Sequence, residues 1–281
     1  MNKRIGFVDF KLENYHANVY LAAIRKELSS RGFTVAGCYS LDEASGRPWA
    51  EKNGVPYFDS VKKLDKAVDY YVILAPSNPE THWELCKKVF PMRKITYVDK
   101  TFAPDLRTAK KIFTLADKYG TVIQTTSALR YTKIQAHVRE VGAANVRHMV
   151  AWGGGGSFEE YAIHPLEMLV SCLGPAAERL MVRGEGHQRQ LILDFSGGRT
   201  AVVNVYTGAD TPYAASVTTD KETRIIVADM SHLFVDMASA ILDLFETGKA
   251  AIDRTESLMI RCILDAALKA KATGKFVKLS G

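Results

Sequence analysis

The chain has 281 residues, 47% of them apolar and 24% charged, with a formal net charge of +6. That length allows two compact domains or one large one, and the composition is that of an ordinary soluble protein, not a disordered or fibrous one. No apolar run approaches the roughly 18 to 20 residues of a membrane span. The basic residues are spread over segments such as RKELSSR and KKLDK, which read as solvated helix faces rather than a nucleic-acid patch.

The N-terminus, MNKRIGFVDF, carries basic residues and runs into a strand without a small-residue cleavage site, so a cytoplasmic protein is expected. The strand RIGFVDF is followed by KLENYHA, where a βαβ nucleotide-binding unit would carry the glycine-rich turn G-x-G-x-x-G. The spacing in YHANVYLAAIRKELSSRG predicts a helix closed by Gly32, and FTVAGCY a second strand. YYVILAP reads as a buried strand stopped by proline, PETHWELCKKVF as a helix and KITYVD as a strand. APDLRTAKKIFTLADKYG has Pro104 in its first turn, Leu106, Ala109, Phe113 and Ala116 on one face, and Gly120 as C-cap. TVIQTT completes an alternation of strands and helices that predicts a parallel, doubly wound α/β sheet over residues 1–126.

From residue 127 the pattern changes. A glycine run leads into the helix of SFEEYAIHPLEMLVSCLG, and RQLILDFSGGRTAVVNVYTG reads as two alternating strands around Ser196, Gly197 and Gly198. An α+β domain with a largely antiparallel, open sheet is expected over 127–281. In the final helix Asp253 and Glu256 are placed for a capping box, Met259, Ile263, Ala266, Ala267 and Ala270 share a face, and Gly274 is the expected end. Cys38, Cys86, Cys172 and Cys262 lie far apart in apolar periodic segments, which points to buried thiols and to no metal site.

In an open parallel sheet, ligands bind beyond the carboxyl ends of the strands. Asp9 to Leu12, Ala75 to His82, and Asp99, Lys100 and Thr101 fall there. Lys100 follows the apolar strand ITYV, and a partly desolvated lysine is suited to proton transfer; the same position also suits a solvated strand-end lysine. In GGGGSFEEYAIHP, Glu160 and His164 are four residues apart, so on a helix they share one face and can form an acid/base pair. A glycine loop followed by an ordinary helix is the alternative there.

Together these stretches resemble the Gfo/Idh/MocA oxidoreductases over nearly the whole chain. VILAPSNPETHWEL resembles the family's Thr-Pro segment with its histidine, YVDKTFAPDLRTAKKIF its Glu-Lys-Pro motif, and GGGSFEEYAIHPLEML its G-G-G-x-L-x-D-x-G-x-H segment. The resemblance implies a Rossmann-like dinucleotide-binding domain at 1–126, a substrate and oligomerisation domain at 127–281, NAD or NADP as cofactor, and a small-molecule substrate such as a sugar, polyol or related hydroxy or keto compound. The spread of the basic residues and the lack of a long apolar run leave no nucleic-acid or membrane partner expected. The resemblance matches Lys100 and His164 to the residues that handle the proton, without saying which is the base, and Glu160 to a carboxylate that positions substrate. Arg130 matches a position that reaches the substrate crevice or anchors structure. Phe10, Lys11, Leu12, Ser40, Ala75, Pro76, Ser77, His82 and Asp99 are the implied cofactor neighbours, and a homodimer or homotetramer through the open C-terminal sheet is implied as well.

The departures concentrate on the cofactor. Asp9 stands at the strand end where glycine is expected, with Phe10 and Leu12 adding bulk, while Lys11 offsets some charge and Asn14 is placed to cap the helix. Neither Tyr39 nor Ser40 supplies the acidic residue of an adenosine-ribose contact, and Ser40 with Arg47 is a weak match for a 2′-phosphate. A binding or regulatory protein that keeps the fold without using a dinucleotide is the second reading.

Overall fold

The computed structural model describes residues 3–270, 272 and 274–279. The chain forms two compact units, residues 1–126 with 234–252, and residues 127–233 with 253–281.

The first unit is built on five parallel strands: β1 (Arg4–Asp9), β2 (Thr34–Ser40), β3 (Tyr70–Ile73), β4 (Thr96–Val98) and β5 (Ile123–Gln124). Their order is β2-β1-β3-β4-β5. Ile5, Phe7 and Val8 of β1 and Tyr71, Val72 and Ile73 of β3 are buried, as strands covered by helices on both faces must be. The helices are α1 (Tyr15–Arg25), α2 (Glu43–Asn53), α3 (Val61–Asp65), α4 (His82–Val89) and α5 (Leu106–Tyr119). Asn14 caps α1 by accepting the Ala17 N–H. Gly32, at φ 74°, closes the short 3-10 turn after α1 rather than the helix itself. For α5 the cap is Asp105, which accepts the Thr108 N–H, so Pro104 precedes the cap instead of standing in the first turn; Gly120 ends the helix at φ 64°. Strand order reverses between β1 and β3, which places the loops after these strands at the position where open α/β sheets bind ligands.

The second unit begins with α6 (Lys133–Val141), β6 (Val146–Gly154), α7 (Phe158–Tyr161) and α8 (Ile163–Leu173). It continues through β7 (Ala177–Arg183), β8 (Gln188–Phe195), β9 (Arg199–Tyr206), β10 (Ala214–Thr219) and β11 (Thr223–Val227), and after α9 (Leu233–Thr247) through α10 (Arg254–Lys269) and β12 (Val277–Lys278). The seven strands run in the order β11-β10-β6-β9-β8-β7-β12 and pair antiparallel except for the parallel β6–β9 pair. The Ser196–Gly198 turn joins β8 to β9 as its glycines predict, with both glycines left-handed. Helix α8 packs on β6 and β9 and buries Leu166, Leu169, Val170 and Leu173. Cross-strand partners Val150, Val202, Ile192 and Met181 form one row across β6, β9, β8 and β7, and each is partly exposed.

Three further expectations change. Residues 234–252, which the sequence pattern assigns to the second domain, pack in the first unit. Arg31 reaches Asp243 and Glu246 of α9, the Phe245 ring stacks on Tyr70 with centroids 4.7 Å apart, and the Ala251 N–H donates to Gln124 Oε1. Helix α10 stops at Lys269 because Ala270 turns extended, and Gly274 lies beyond it. Asp253 caps α10 through the Thr255 N–H, while the Glu256 carboxylate pairs with Arg130 instead of being left to a capping box.

Candidate functional site

At the carboxyl edge of the parallel sheet, Asp9 organises the loop after β1. Its carboxylate is 1% exposed; Oδ1 accepts from the N–H groups of Lys11 (3.1 Å) and Ala75 (3.0 Å), and Oδ2 from the Asn14 side chain (2.8 Å). The Phe10 N–H also donates to it. Burial pushes the Asp9 carboxyl up to about 7, against the pull of these donors. The Asp9–Ala75 bond ties the loops after β1 and β3 together, and Ala75 takes a left-handed φ of 59° to make it.

Two strands over from β1, Asp99 is fully enclosed at the end of β4. Its Oδ2 lies 2.5 Å from His16 Nδ1, in the first turn of α1, and its Oδ1 accepts the Lys100 N–H at 2.9 Å. Burial alone would raise this carboxyl, but His16 and Lys100 outweigh it, and the net shift is downward. Lys100 is 5% exposed, and its ammonium donates to the Pro76 carbonyl at 3.4 Å. The Lys100–Thr101 peptide is cis. Asp9, Asp99, Lys100, Ala75 and Pro76 therefore gather on three adjacent strand ends.

Several expected cofactor neighbours serve the scaffold instead. His82 is fully buried, its ring nitrogens facing the carbonyl oxygens of Leu74 and Thr101, so it pins the loop after β3 to the loop after β4; burial lowers its pKa. Ser40 is buried and donates to the Asp42 carbonyl at 2.8 Å. A Cβ on Gly46 would come within 2.0 Å of Ser40 Oγ, so α2 sits directly over it. Arg47 pairs with Glu43 and lies 4.7 Å from the Tyr57 ring centroid. Leu12 is fully buried, whereas Phe10 is partly exposed and Lys11 and Ser77 are exposed.

A dinucleotide places its diphosphate against the N–H groups of the turn after β1 and the start of the next helix. Here two of the turn's donors, Phe10 and Lys11, point at the Asp9 carboxylate. The turn therefore fits a diphosphate when Asp9 is neutral, and the raised pKa brings that state within reach near neutral pH. Of the expected cofactor neighbours, Phe10, Lys11, Ala75, Pro76 and Ser77 lie on the loops after β1 and β3 and are the ones that would hold the cofactor.

In the second unit, His164 stands in the first turn of α8. Its Nδ1 is 2.7 Å from Ser127 Oγ, and its ring lies 5.6 Å from Tyr213 and 5.9 Å from Tyr161, centroid to centroid. Glu160 belongs to α7, whose cap Ser157 accepts the Glu160 N–H at 3.2 Å. Ala162 continues the helical path between α7 and α8, so Glu160 and His164 keep helical spacing; the partner seen at His164 Nδ1 is Ser127. The glycine run admits aromatic rings and backbone: a Cβ on Gly153 would meet the Tyr213 ring at 2.8 Å, on Gly154 the Tyr206 carbonyl oxygen at 2.2 Å, and on Gly155 the Tyr161 ring at 2.1 Å. Arg130 takes the anchoring alternative. Its guanidinium donates to Glu167 of α8 at 2.6 Å and Glu256 of α10 at 2.8 Å, and its side chain is 12% exposed.

Sequence reasoning missed the His16–Asp99 pair, the four donors on Asp9 and the Ser127–His164 contact. Each joins residues at least 37 positions apart or depends on loop backbone N–H groups. The available signal was the dense run of polar residues Thr125, Thr126 and Ser127 after the fifth strand.

Residues 4–127 match the family model described as the Gfo/Idh/MocA oxidoreductase family with an NAD-binding Rossmann fold. A comparison with curated proteins gives no match. Among solved structures, a protein described as a probable dehydrogenase from Thermotoga maritima superposes with a TM-score of 0.84 at 14% identity over 98% of each chain. A scyllo-inositol dehydrogenase from Lactobacillus casei gives 0.83 at 10% identity over 99% of each chain. A biliverdin reductase from Synechocystis, solved with biliverdin and NADP+, gives 0.74 at 17% identity over 96% of this chain and 99% of its own. At such identities the likeness speaks for the fold, which extends over both units. The Gfo/Idh/MocA family model thus matches the N-terminal residues 4–127, and the fold of the solved dehydrogenases is shared over the whole length of the chain.

Proposed function

We propose that this protein is an NAD(P)-dependent oxidoreductase acting on a CH–OH or carbonyl carbon of a sugar, polyol or related hydroxy or keto compound. The observation that carries the reading is Lys100: a buried ammonium at the end of β4, backed by the buried Asp99–His16 pair, in a unit that matches the model of a family with an NAD-binding Rossmann fold. When bound, the nicotinamide supplies or accepts the hydride. Lys100, held against the Pro76 carbonyl, orients a substrate oxygen and holds or releases its proton at Nζ. His164, fixed by Ser127 Oγ, is the other candidate for the proton, and Glu160 the candidate for positioning substrate. The resemblance to dehydrogenases of inositol motivates the polyol class, and biliverdin reductase shows that the fold also serves a different substrate.

The first measurement is a titration with NADH and NADPH, read by nicotinamide fluorescence and thermal midpoint together, followed by a screen of sugars and polyols. Lys100→Ala and His164→Ala are each expected to lower turnover at least about 100-fold with an unchanged thermal transition. Turnover that survives both substitutions would remove these residues from the mechanism. The second reading, a binding or regulatory protein, draws on the Asp9 carboxylate at the phosphate turn; it is selected if neither nucleotide binds.

The same proposal includes a cytoplasmic location, in keeping with four cysteines that are all buried, and assembly into a dimer or tetramer through the open face of the seven-stranded sheet. The row of partly exposed Val150, Val202, Ile192 and Met181 supports that face.

A further inference from the structure

Asp9 is surrounded as a bound anion would be. Four groups donate to it: the N–H groups of Phe10 and Lys11 on the turn, the N–H of Ala75 from the loop after β3, and the side-chain amide of Asn14. Asn14 is also the N-cap of α1 and donates to the Lys11 carbonyl at 2.6 Å, so turn and helix start converge on one carboxylate. The Lys11 ammonium does not neutralise it; it sits 5.5 Å from the Phe10 ring centroid. An ionised Asp9 thus uses donors that a diphosphate needs and adds a buried negative charge beside two arriving ones.

We infer that Asp9 is an internal stand-in for the diphosphate, and that binding a nicotinamide dinucleotide at this turn takes up one proton from solvent at Asp9. The inference rests on the reading that this unit binds such a dinucleotide. A neutral carboxyl releases N–H groups to the phosphate oxygens and has an O–H of its own to donate. The free protein's carboxyl, already raised to about 7 by burial, makes the proton available at moderate pH. The charged groups around Asp9 are few. Asp99, beyond the neighbouring strand, raises it further; His16 and Lys100 are engaged with Asp99, and Lys11 lies on the turn itself.

The test is calorimetric titration of NADH into the full-length protein from about pH 6 to about pH 9, in pairs of buffers with different ionisation enthalpies, repeated with NADPH and with Asp9→Asn. Linkage predicts about one proton taken up per NADH above roughly pH 8, with affinity falling about tenfold per pH unit there. Asp9→Asn should bind at least about tenfold more tightly than the wild type near pH 9, without that proton. Wild-type binding with flat affinity and no proton uptake overturns the inference while the dinucleotide reading stands. Proton uptake that persists in Asp9→Asn assigns it to another group and overturns it too. If neither nucleotide binds either folded protein at any pH, the dinucleotide reading falls and takes this inference with it. Should Asp9→Asn fail to fold, the wild-type proton count decides alone.

Discussion

Ala75 and Asp9 illustrate how much depends on single residues at the sheet edge. Ala75 holds a left-handed backbone because its N–H must reach Asp9, and its side chain is buried. Glycine would relieve about 1 kcal/mol of backbone strain but loosen the unfolded chain and remove a methyl group, so Ala75→Gly is expected to be nearly neutral. A β-branched residue fits this conformation poorly, and Ala75→Val should cost about 2 kcal/mol in urea unfolding. A clearly destabilising glycine alongside a tolerated valine would contradict the described backbone. Asp9 and Asp99 predict opposite pH responses. Asp9 is raised to about 7, so between its unfolded pKa near 4 and about 7 the folded state keeps a proton that the unfolded state has lost. Its contribution therefore declines as pH rises through that window, by up to about 1.4 kcal/mol per pH unit, and is level above it. Asp99 is lowered, so its contribution is present at neutral pH and is lost as pH falls below about 4. Unfolding free energies measured from about pH 4 to about pH 8 should show the Asp9 decline in the wild type and not in Asp9→Asn.

At the scale of elements, the charged cluster around Arg130 links the turn before α6 to α8 and α10. Removing the guanidinium leaves Glu167, whose side chain is 4% exposed, buried without it. Arg130→Ala is expected to destabilise the protein by about 3 kcal/mol, visible as a lower urea midpoint, and Arg130→Lys to recover only part because lysine lacks the fork that spans two carboxylates. A loss of turnover with an unchanged midpoint would instead return Arg130 to the substrate site. The glycine run shows a similar shift of role. Gly153 to Gly155 are required by the Tyr213 and Tyr161 rings and the Tyr206 carbonyl, so their function is to let β6 and α7 accept aromatic neighbours that flank His164.

For the whole molecule, the open face of the seven-stranded sheet is the decisive surface. A row of partly exposed aliphatic side chains across four strands is an unusual thing to leave in water. If that face pairs copies of the chain, Val202→Glu or Ile192→Asp, at the centre of the row, should shift the protein to monomer in light scattering without changing its secondary structure. A wild-type monomer would end the proposal for assembly.

The sequence by itself determined the parallel alternation of the first 126 residues, the β8–β9 hairpin and the amphipathic α5 with its Gly120 C-cap, because these follow from local periodicity, turn chemistry and capping, which act over a few residues. It also marked Lys100 and His164, through motifs that short windows carry. The tertiary structure decided the rest. Only long-range packing could draw residues 234–252 onto the first unit, since an apolar helix face does not say which sheet it will cover. Only the fold could bring His16 to Asp99 across 83 positions, and Ser127 to His164 across 37. In the same way Asp9, which in sequence merely replaces an expected glycine, became a buried carboxylate with four donors once the loop after β3 had been placed beside it. Hydrogen-bond satisfaction in a buried turn is a property of everything that closes over it, and no single stretch of chain encodes it.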